Sequence, residues 1–274
     1  MSSLPLKMYK YHGVGNDFLV VLDPSLAGRL DASLARAVCD RHRGIGADGL
    51  ILALPEGEGF SFRLWNADGS EAEMSGNGIR CAAHALVDTG AVQGWPESGA
   101  ALAFSTAAGL RTVTVRAGSQ PSEIWASVAM GTVTINGDAE RCNIGHGQLE
   151  LNVGNPHLVV VGPDPAGVDV PGLGAALDRA ADGGRNVEFV TLGPGPDEVT
   201  MRVWERGVGE TLACGTGACA AAAAMHHWGR TGPVVTVHQP GGSVSVELAD
   251  DGTAILTGPS QRIAYCEVAK VESR

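Results

Sequence analysis

Lysine is scarce in this sequence of 274 residues: the three that occur, Lys7, Lys10 and Lys270, all lie near its ends. Enzymes that use pyridoxal phosphate hold it on a lysine as a Schiff base. None of the three lysines lies in a glycine-rich or otherwise site-like stretch. The sequence therefore argues against pyridoxal phosphate, and we expect the protein to work without a cofactor.

Positive charge and long apolar runs are also scarce. The formal net charge of −11 disfavours nucleic acid as a partner, because such binding needs a basic surface. No apolar run reaches the ~18 residues that a membrane span requires, and the first residues lack the apolar core of a signal peptide. Six cysteines in a chain of this size do not make a disulfide framework. These absences predict a cytoplasmic protein with reduced thiols and no membrane partner.

Glycine, in contrast, is abundant at 39 residues, and two glycine-rich segments are near-copies of each other. "AEMSGNGIRC" (72–81) and "TLACGTGACA" (211–220) place Ser75 and Cys214 at equivalent positions, 139 residues apart. The same offset aligns "GNDFLVV" with "GNPHLVV" and "FRLWN" with "MRVWE". Three matches at one offset indicate two similar half-chains. A two-fold repeat of this period is not a solenoid, and it implies two like domains.

Short β-branched or alternating segments bounded by turn residues predict many strands. They are "DFLVVLD", "GLILALP", "FSFRLWN", "LRTVTVRA", "EIWASVAM", "HLVVVG", "NVEFVTLG", "VTMRVWE", "PVVTVHQ", "SVSVELA" and "TAILTG". Helices are predicted over 31–42, over 172–181 and after each glycine motif, where Gly90 and Gly229 would end them. The pattern favours an α+β fold with a mostly antiparallel sheet curled over a central helix, twice.

The two glycine motifs are predicted helix starts, where unpaired N–H groups can bind an anion. The positive end of the helix dipole also lowers the pKa of a thiol, so we expect Cys214 to be reactive as a thiolate. Ser75 has a simpler explanation, because serine is among the best N-cap residues. It is a far weaker base than a thiolate, and the sequence shows no partner that would activate it.

Three other motifs give weaker evidence of a functional site. "GIGADG" (44–49) fits a dinucleotide-binding pattern but runs into a predicted strand, where that fingerprint requires a helix. Cys39 and His42 have metal-ligand spacing without a second pair, so we expect no metal site. Cys81 lies six residues beyond Ser75, which is ~240° around the helix, so we expect it in the core.

The sequence resembles the diaminopimelate epimerase family in "GVGNDF", "NADGSEAEMSGNGIRC", "GNPH" and "WERGVGETLACGTGACA", in the family's order. The resemblance implies two pseudo-symmetric domains, each a β-barrel-like antiparallel sheet around a central helix, with the active site in the cleft between them. We expect these domains at residues 1–116 with 262–274, and at 117–261. It further implies a homodimer that interconverts LL- and meso-diaminopimelate without pyridoxal phosphate. Such inversion needs a base on one face of the α-carbon and an acid on the other.

The resemblance also implies site residues. Cys214 matches one of the family's two catalytic cysteines, while the position of the other is Ser75 in this chain. Glu205 and His157 match polar groups near the thiol, and some members have Gln where this chain has Gly49. The substrate-binding positions implied are Asn16, Asn66, Gly76, Asn77, Asn155, Asn186, Glu205, Arg206, Gly215 and Thr216.

Ser75 leaves several interpretations open. The chain is an epimerase in which cysteine has been replaced, or a natural lineage that tolerates serine, or a relative needing one base. The last would be a lyase, a dehydratase or a racemase acting on another amino acid. A non-catalytic amino-acid-binding protein is the hypothesis from a different class, and Cys214 argues against it.

Overall fold

The structure is a computed structural model that describes residues 5–92, 99–139 and 147–268. Two compact units make up the chain: Met1–Val128 with Pro259–Arg274, and Ala129–Gly258. The sequence analysis predicted the boundaries between these units at 116/117 and 261/262. The second predicted boundary is therefore closer to the observed one than the first is. Among the described residues, no helix is long and apolar enough to cross a membrane.

The elements follow one another in an order that repeats. They are β1 Leu6–Gly13, β2 Asn16–Val21, α1 Ala32–Cys39, β3 Gly49–Glu56, β4 Gly59–Asn66, β5 Glu71–Ala72, α2 Gly76–Asp88, β6 Ala100–Thr106, β7 Gly109–Ala117, β8 Glu123–Thr132, β9 Thr134–Ala139, β10 Gly147–Asn152, β11 Pro156–Val161, α3 Val170–Arg179, β12 Asn186–Leu192, β13 Glu198–Glu205, β14 Gly209–Thr211, α4 Gly215–His227, β15 Val234–Gln239, β16 Gly242–Leu248 and β17 Thr253–Val268. Two 3-10 helices, Pro24–Arg29 and Pro165–Gly167, precede α1 and α3.

The first unit is a closed barrel of eight strands. Neighbours pair in the order β1, β2, β3, β4, β6, β7 and β8, and β17 pairs with both β8 and β1. The pairs β2–β3 and β4–β6 are parallel, whereas β1–β2, β3–β4, β6–β7, β7–β8 and β1–β17 are antiparallel. Helix α2 packs against β1, β2, β3 and β7, and its residues 76–87 are all buried. It is therefore the central helix that the sequence predicted.

The second unit repeats this arrangement. Its strands pair in the order β9, β10, β11, β12, β13, β15, β16 and β17, and the parallel pairs are again the equivalents, β11–β12 and β13–β15. Helix α4 packs against β10, β11, β12, β13, β15 and β16, and residues 215–222 are all buried. Alanine or glycine at six of these eight positions lets the strands approach the helix closely. The prediction of an α+β fold with two like barrels is confirmed.

The 139-residue offset is kept in part. Strands β4 and β13, and helices α2 and α4, keep it along their whole length. Strands β3 and β12 are offset by 137 residues, because the connection before β12 is two residues shorter. In the first unit Gly49 is paired with Phe18, and in the second Asn186 is paired with His157.

This change of offset corrects the alignment of the strand that borders each helix start. Asn186 is the counterpart of Gly49, and two residues further along Glu188 is the counterpart of Ile51. Both are fully buried. The barrels thus place a carboxylate in one unit where the other has an aliphatic side chain.

Helix boundaries follow local chemistry. The carboxylate of Asp31 accepts from the N–H of Leu34, so Asp31 caps α1 as predicted. Gly90 and Gly229 follow α2 and α4 with φ of 74° and 66°, the left-handed conformation that glycine adopts without strain. All eleven predicted strands are present. The sequence analysis missed β1, β5, β6, β9, β10 and β14.

Candidate active site

Cys214 is the N-cap residue of α4. Its backbone is extended, and its Sγ accepts a hydrogen bond from the N–H of Gly217 at 3.3 Å. The Thr216 hydroxyl lies 3.4 Å from the same sulfur, and the Cys214 N–H donates to Oε1 of Gln239 at 2.7 Å. The side chain is 4% exposed. As in any helix start, the N–H groups before Gly217 have no partner within the helix and can face an anion.

The expectation that Cys214 is a ready thiolate is wrong for this structure. Burial raises the pKa of the thiol well above its usual value, and the carboxylates of Glu205 and Glu188 raise it further. The hydrogen bonds from Thr216 and from the Gly217 N–H lower it, but they are outweighed. Cys214 therefore rests as a neutral thiol, and it needs a neighbouring base before it can accept a proton.

Glu205 is the group placed to be that base. It is the last residue of β13, and it accepts a hydrogen bond from the Thr211 hydroxyl. Its carboxylate also lies close enough to the Cys214 thiol for each group to shift the pKa of the other. Burial raises the pKa of Glu205, and the negative charge of Glu188 adds to that rise. A carboxyl with a raised pKa is a stronger proton acceptor than an ordinary carboxylate, so Glu205 can take the thiol proton.

His157 lies in a buried chain of hydrogen bonds beside this pair. Its Nδ1 is 2.7 Å from Oε1 of Glu188, and its Nε2 is 2.8 Å from Oδ1 of Asn155. The amide of Asn186 lies 3.5 Å from the same Nε2. Three of the predicted residues, His157, Asn155 and Asn186, are therefore brought together in the second unit.

Arg206 is held at the edge of the same cluster. Its backbone N–H donates to Oδ1 of Asn186 at 2.9 Å, and its Nη1 donates to the carbonyl of Gly183 at 3.2 Å. The side chain is exposed, so the guanidinium can meet a carboxylate that approaches from solvent.

Ser75 caps α2 as Cys214 caps α4. Its Oγ accepts from the N–H of Gly78 at 3.0 Å, and its backbone is extended. The prediction of an N-cap is confirmed. Asn66, at the end of β4, donates to the hydroxyl of Ser70 at 3.0 Å and so supports its own turn.

Amides and a guanidinium surround the start of α2. Asn77 donates to Oδ1 of Asn16 at 3.1 Å, and Asn16 donates to Asp48 at 2.8 Å. Arg80, fully buried, donates to Oδ1 of Asn77 at 2.8 Å and to the carbonyl of Gly76 at 3.2 Å. A cation at this helix start favours a substrate carboxylate.

The two helix starts thus differ in charge. The first has the guanidinium of Arg80 behind it, and the second has the carboxylates of Glu188 and Glu205. A β-carbon built on Gly78 would lie 3.2 Å from Cδ1 of Ile51, and one built on Gly217 would lie 2.7 Å from Oε1 of Glu188. Proton-accepting groups are therefore concentrated in the second unit.

Sequence reasoning missed Glu188, Arg80 and Asp48. Glu188 lies inside the predicted strand "NVEFVTLG", and a carboxylate inside an otherwise apolar strand is a signal of a partner or a function. Cys81 was predicted to be in the core, and this is confirmed, because its side chain is fully buried. That burial raises the pKa of its thiol to about 12. Cys142 lies outside the described residues. Among those described, no cluster of three or more His, Cys, Asp or Glu could hold a metal ion.

Comparison with solved structures defines the class of fold. The hydroxyproline epimerase from Agrobacterium vitis matches with a TM-score of 0.74 over 98% of this chain and 93% of that one, at 19% identity. At that identity the likeness shows the fold alone: the twin-barrel fold of the proline racemase and diaminopimelate epimerase type.

Sequence comparison then gives the family. The family model described as diaminopimelate epimerase matches residues 8–136 and 150–263. The diaminopimelate epimerase of Synechococcus elongatus is 40% identical over 95% of this chain and 97% of its own length. That of Desulfitobacterium hafniense is 38% identical over 93% and 95%. This chain belongs to the diaminopimelate epimerase family.

Proposed function

We propose that this protein interconverts LL- and meso-diaminopimelate, with Cys214 as its strong proton-transfer group and Ser75 as its weak one. Family membership carries the substrate, since relatives of 38–40% identity bear that name. One observation carries the chemistry: the Cys214 thiol caps a helix start and lies beside Glu205, a carboxyl of raised pKa.

The reaction on the Cys214 side follows from these contacts. Glu205 takes the thiol proton, and the resulting thiolate removes the α-hydrogen of the substrate. In the opposite direction the thiol donates its proton to the α-carbon. The N–H groups of Gly215 and Thr216, at the start of α4, stabilise the substrate carboxylate as it gains enolate character, because their positions are fixed by the helix before the charge develops.

The Ser75 side has less to offer. A hydroxyl is a weak acid and a weaker base than a thiolate, and its neighbours at the helix start are Asn77 and Arg80 rather than carboxylates. Gly76 and Asn77 supply the equivalent N–H groups. The proposal requires both helix starts to serve one substrate, and it makes the Ser75 step limit the overall rate.

The remaining predicted residues bind the substrate in this proposal. Asn16, Asn66, Asn155 and Asn186 orient its polar ends, and the Arg206 guanidinium pairs with a carboxylate. The exposed guanidinium and the buried amide of Asn186, linked through the Arg206 N–H, support this assignment. A homodimer in the cytoplasm is also part of the proposal, and light scattering of the purified protein tests the dimer.

Separation of diaminopimelate stereoisomers by chromatography tests the function. We expect LL-diaminopimelate to give the meso form with no added cofactor, and the Cys214→Ala variant to give none. Release of ammonia or a 2-oxo acid would instead indicate a lyase or dehydratase. Saturable binding without any product, in the parent protein, would indicate a binding protein and contradict the proposal.

A further inference from the structure

Glu188 is a buried carboxylate that the mechanism above does not use. It is 0% exposed, on strand β12 among the buried residues Val187, Phe189 and Val190. Its Oε1 meets Nδ1 of His157 at 2.7 Å, while among the described residues Oε2 has no hydrogen-bond partner. Burying a carboxylate with half of its acceptor capacity unused costs several kcal/mol in general, so stability does not explain its presence.

The first unit shows that the barrel does not need this carboxylate. Its counterpart is Ile51, also fully buried, and the counterpart of His157 is Phe18. The same strand position beside the same helix start is thus filled by an apolar pair in one unit and by an acid and an imidazole in the other. The difference lies in the unit that carries Cys214.

Glu188 also lies against the start of α4. A β-carbon on Gly217 would be 2.7 Å from Oε1 of Glu188 and 3.3 Å from Sγ of Cys214, so the carboxylate and the sulfur border the same small space. On the other side, both ring nitrogens of His157 face oxygen atoms, those of Glu188 and Asn155. These two contacts hold the imidazole in one orientation between Glu188 and Asn155.

We propose that Glu188 is a positioning residue for Cys214, acting through the ring of His157 and through its own negative charge beside the start of α4. The carboxylate fixes which atoms of His157 carry protons, and His157 in turn orients the amide of Asn155. Its charge keeps the sulfur protonated until Glu205 removes the proton. The inference rests on the proposed function, because it assigns Cys214 the proton-transfer step.

The charge environment of Cys214 is set by few groups. Three titratable side chains on the strands packed against α4 lie on the Cys214 side: His157 on β11, Glu188 on β12 and Glu205 on β13. The other titratable side chains of these strands are exposed or bonded elsewhere: Glu150 with Arg185, Arg202 with Glu210, Glu198 with His238, and Glu247 at the surface. On α4 itself, Cys219 is buried, and His226 and His227 lie at the far end.

The test is the pH dependence of Cys214 alkylation by iodoacetamide, followed by peptide mass spectrometry, together with the kinetics of epimerisation. In Glu188→Gln we expect faster alkylation at pH 7, by roughly 3- to 30-fold, the range of half to one and a half pKa units. We expect kcat to fall about tenfold or more while KM changes less. The control Glu247→Gln removes the same charge at an exposed position of β16, and it should leave both unchanged.

A double variant, Glu188→Ile with His157→Phe, places the residues of the first unit at these two positions. We expect this variant to fold even if Glu188→Gln does not. We expect the same shift in alkylation for that pair. An unmoved alkylation profile in the folded variants would overturn the inference, whether or not activity falls. Alkylation needs no substrate, so a shift in a protein that does not epimerise diaminopimelate would refute the proposed function and leave the positioning role standing.

Discussion

Ser75 and Cys214 make the same hydrogen bond at the same place in two repeated units. Oγ of Ser75 accepts from the N–H of Gly78 at 3.0 Å, and Sγ of Cys214 accepts from that of Gly217 at 3.3 Å. Either side chain can therefore cap either helix. What differs is the chemistry around them, since the carboxylates of Glu205 and Glu188 lie close enough to Cys214 to raise its pKa.

The change Ser75→Cys should raise the rate of epimerisation. It keeps the cap geometry and supplies a thiol to the weaker side, and a positioned general acid or base contributes about 10²- to 10⁴-fold. We expect kcat to rise by at least about tenfold, which chromatography of the stereoisomers would measure. Ser75→Ala is the matched control and should be slower than the parent. A thiol at position 75 that leaves kcat unchanged would show that the Ser75 step is not limiting.

The change Cys214→Ser should remove activity and keep the fold. Serine caps helices well, so we expect a melting temperature close to that of the parent. Proton exchange at the α-carbon should fall about 10²-fold or more, because no thiolate remains. Substantial exchange in this variant would mean that another group removes the proton.

Glu205→Gln should stabilise the protein above neutral pH and reduce its activity. Burial raises the pKa of Glu205, so folding favours the protonated carboxyl. That contribution is fully present below the ordinary pKa of about 4.3 and is lost as the pH rises. We therefore expect Glu205→Gln to melt at a higher temperature than the parent at pH 8; each ~1 kcal/mol of stabilisation raises the melting temperature of a chain of this size by about 2–4 °C. Scans from pH 4 to 8 should show the gain disappear at the acid end, and a gain independent of pH would contradict this explanation.

Gly217→Ala should be more damaging than the equivalent change in the first unit. The new methyl group would lie 2.7 Å from the buried carboxylate of Glu188, whereas in Gly78→Ala it would lie 3.1 Å from Cβ of Ser75 and 3.2 Å from Ile51. We expect a lower melting temperature and about tenfold less activity in the first variant than in the second. Equal effects would mean that the carboxylate moves aside freely.

The repeat made much of the fold predictable. The Gly-x-Gly motifs begin helices, and the alternating apolar segments form strands, in both halves of the chain. The central helices and the N-caps Ser75 and Asp31 could therefore be predicted from local sequence. The sequence analysis missed strand β1, "LKMYKYHG", because its polar residues obscure the apolar pattern of a strand. Whether a polar strand is paired depends on distant partners, here β2 and β17, which local pattern does not reveal.

Only the site residues that lie within the recognised sequence motifs could be predicted. His157 was expected near the thiol, and Asn155 and Asn186 were expected to bind the substrate; the structure brings these three side chains together. Glu188 was missed because the offset between the two repeats changes by two residues before β12. A constant offset of 139 residues aligns Glu188 with Gly49, whereas the strand register shows that its counterpart is Ile51. The high pKa of Cys214 was missed for a different reason: the helix start predicts a lower pKa, and burial beside two carboxylates outweighs it.

The most direct test is proton NMR of LL- and of meso-diaminopimelate, separately, with the protein in deuterium oxide. If Cys214 acts well and Ser75 poorly, one epimer should incorporate deuterium at its α-carbon faster than it converts, while the other exchanges slowly. Conversion as fast as exchange, from both epimers, would contradict the inequality of the two groups. Exchange in neither epimer would contradict the proposed function itself.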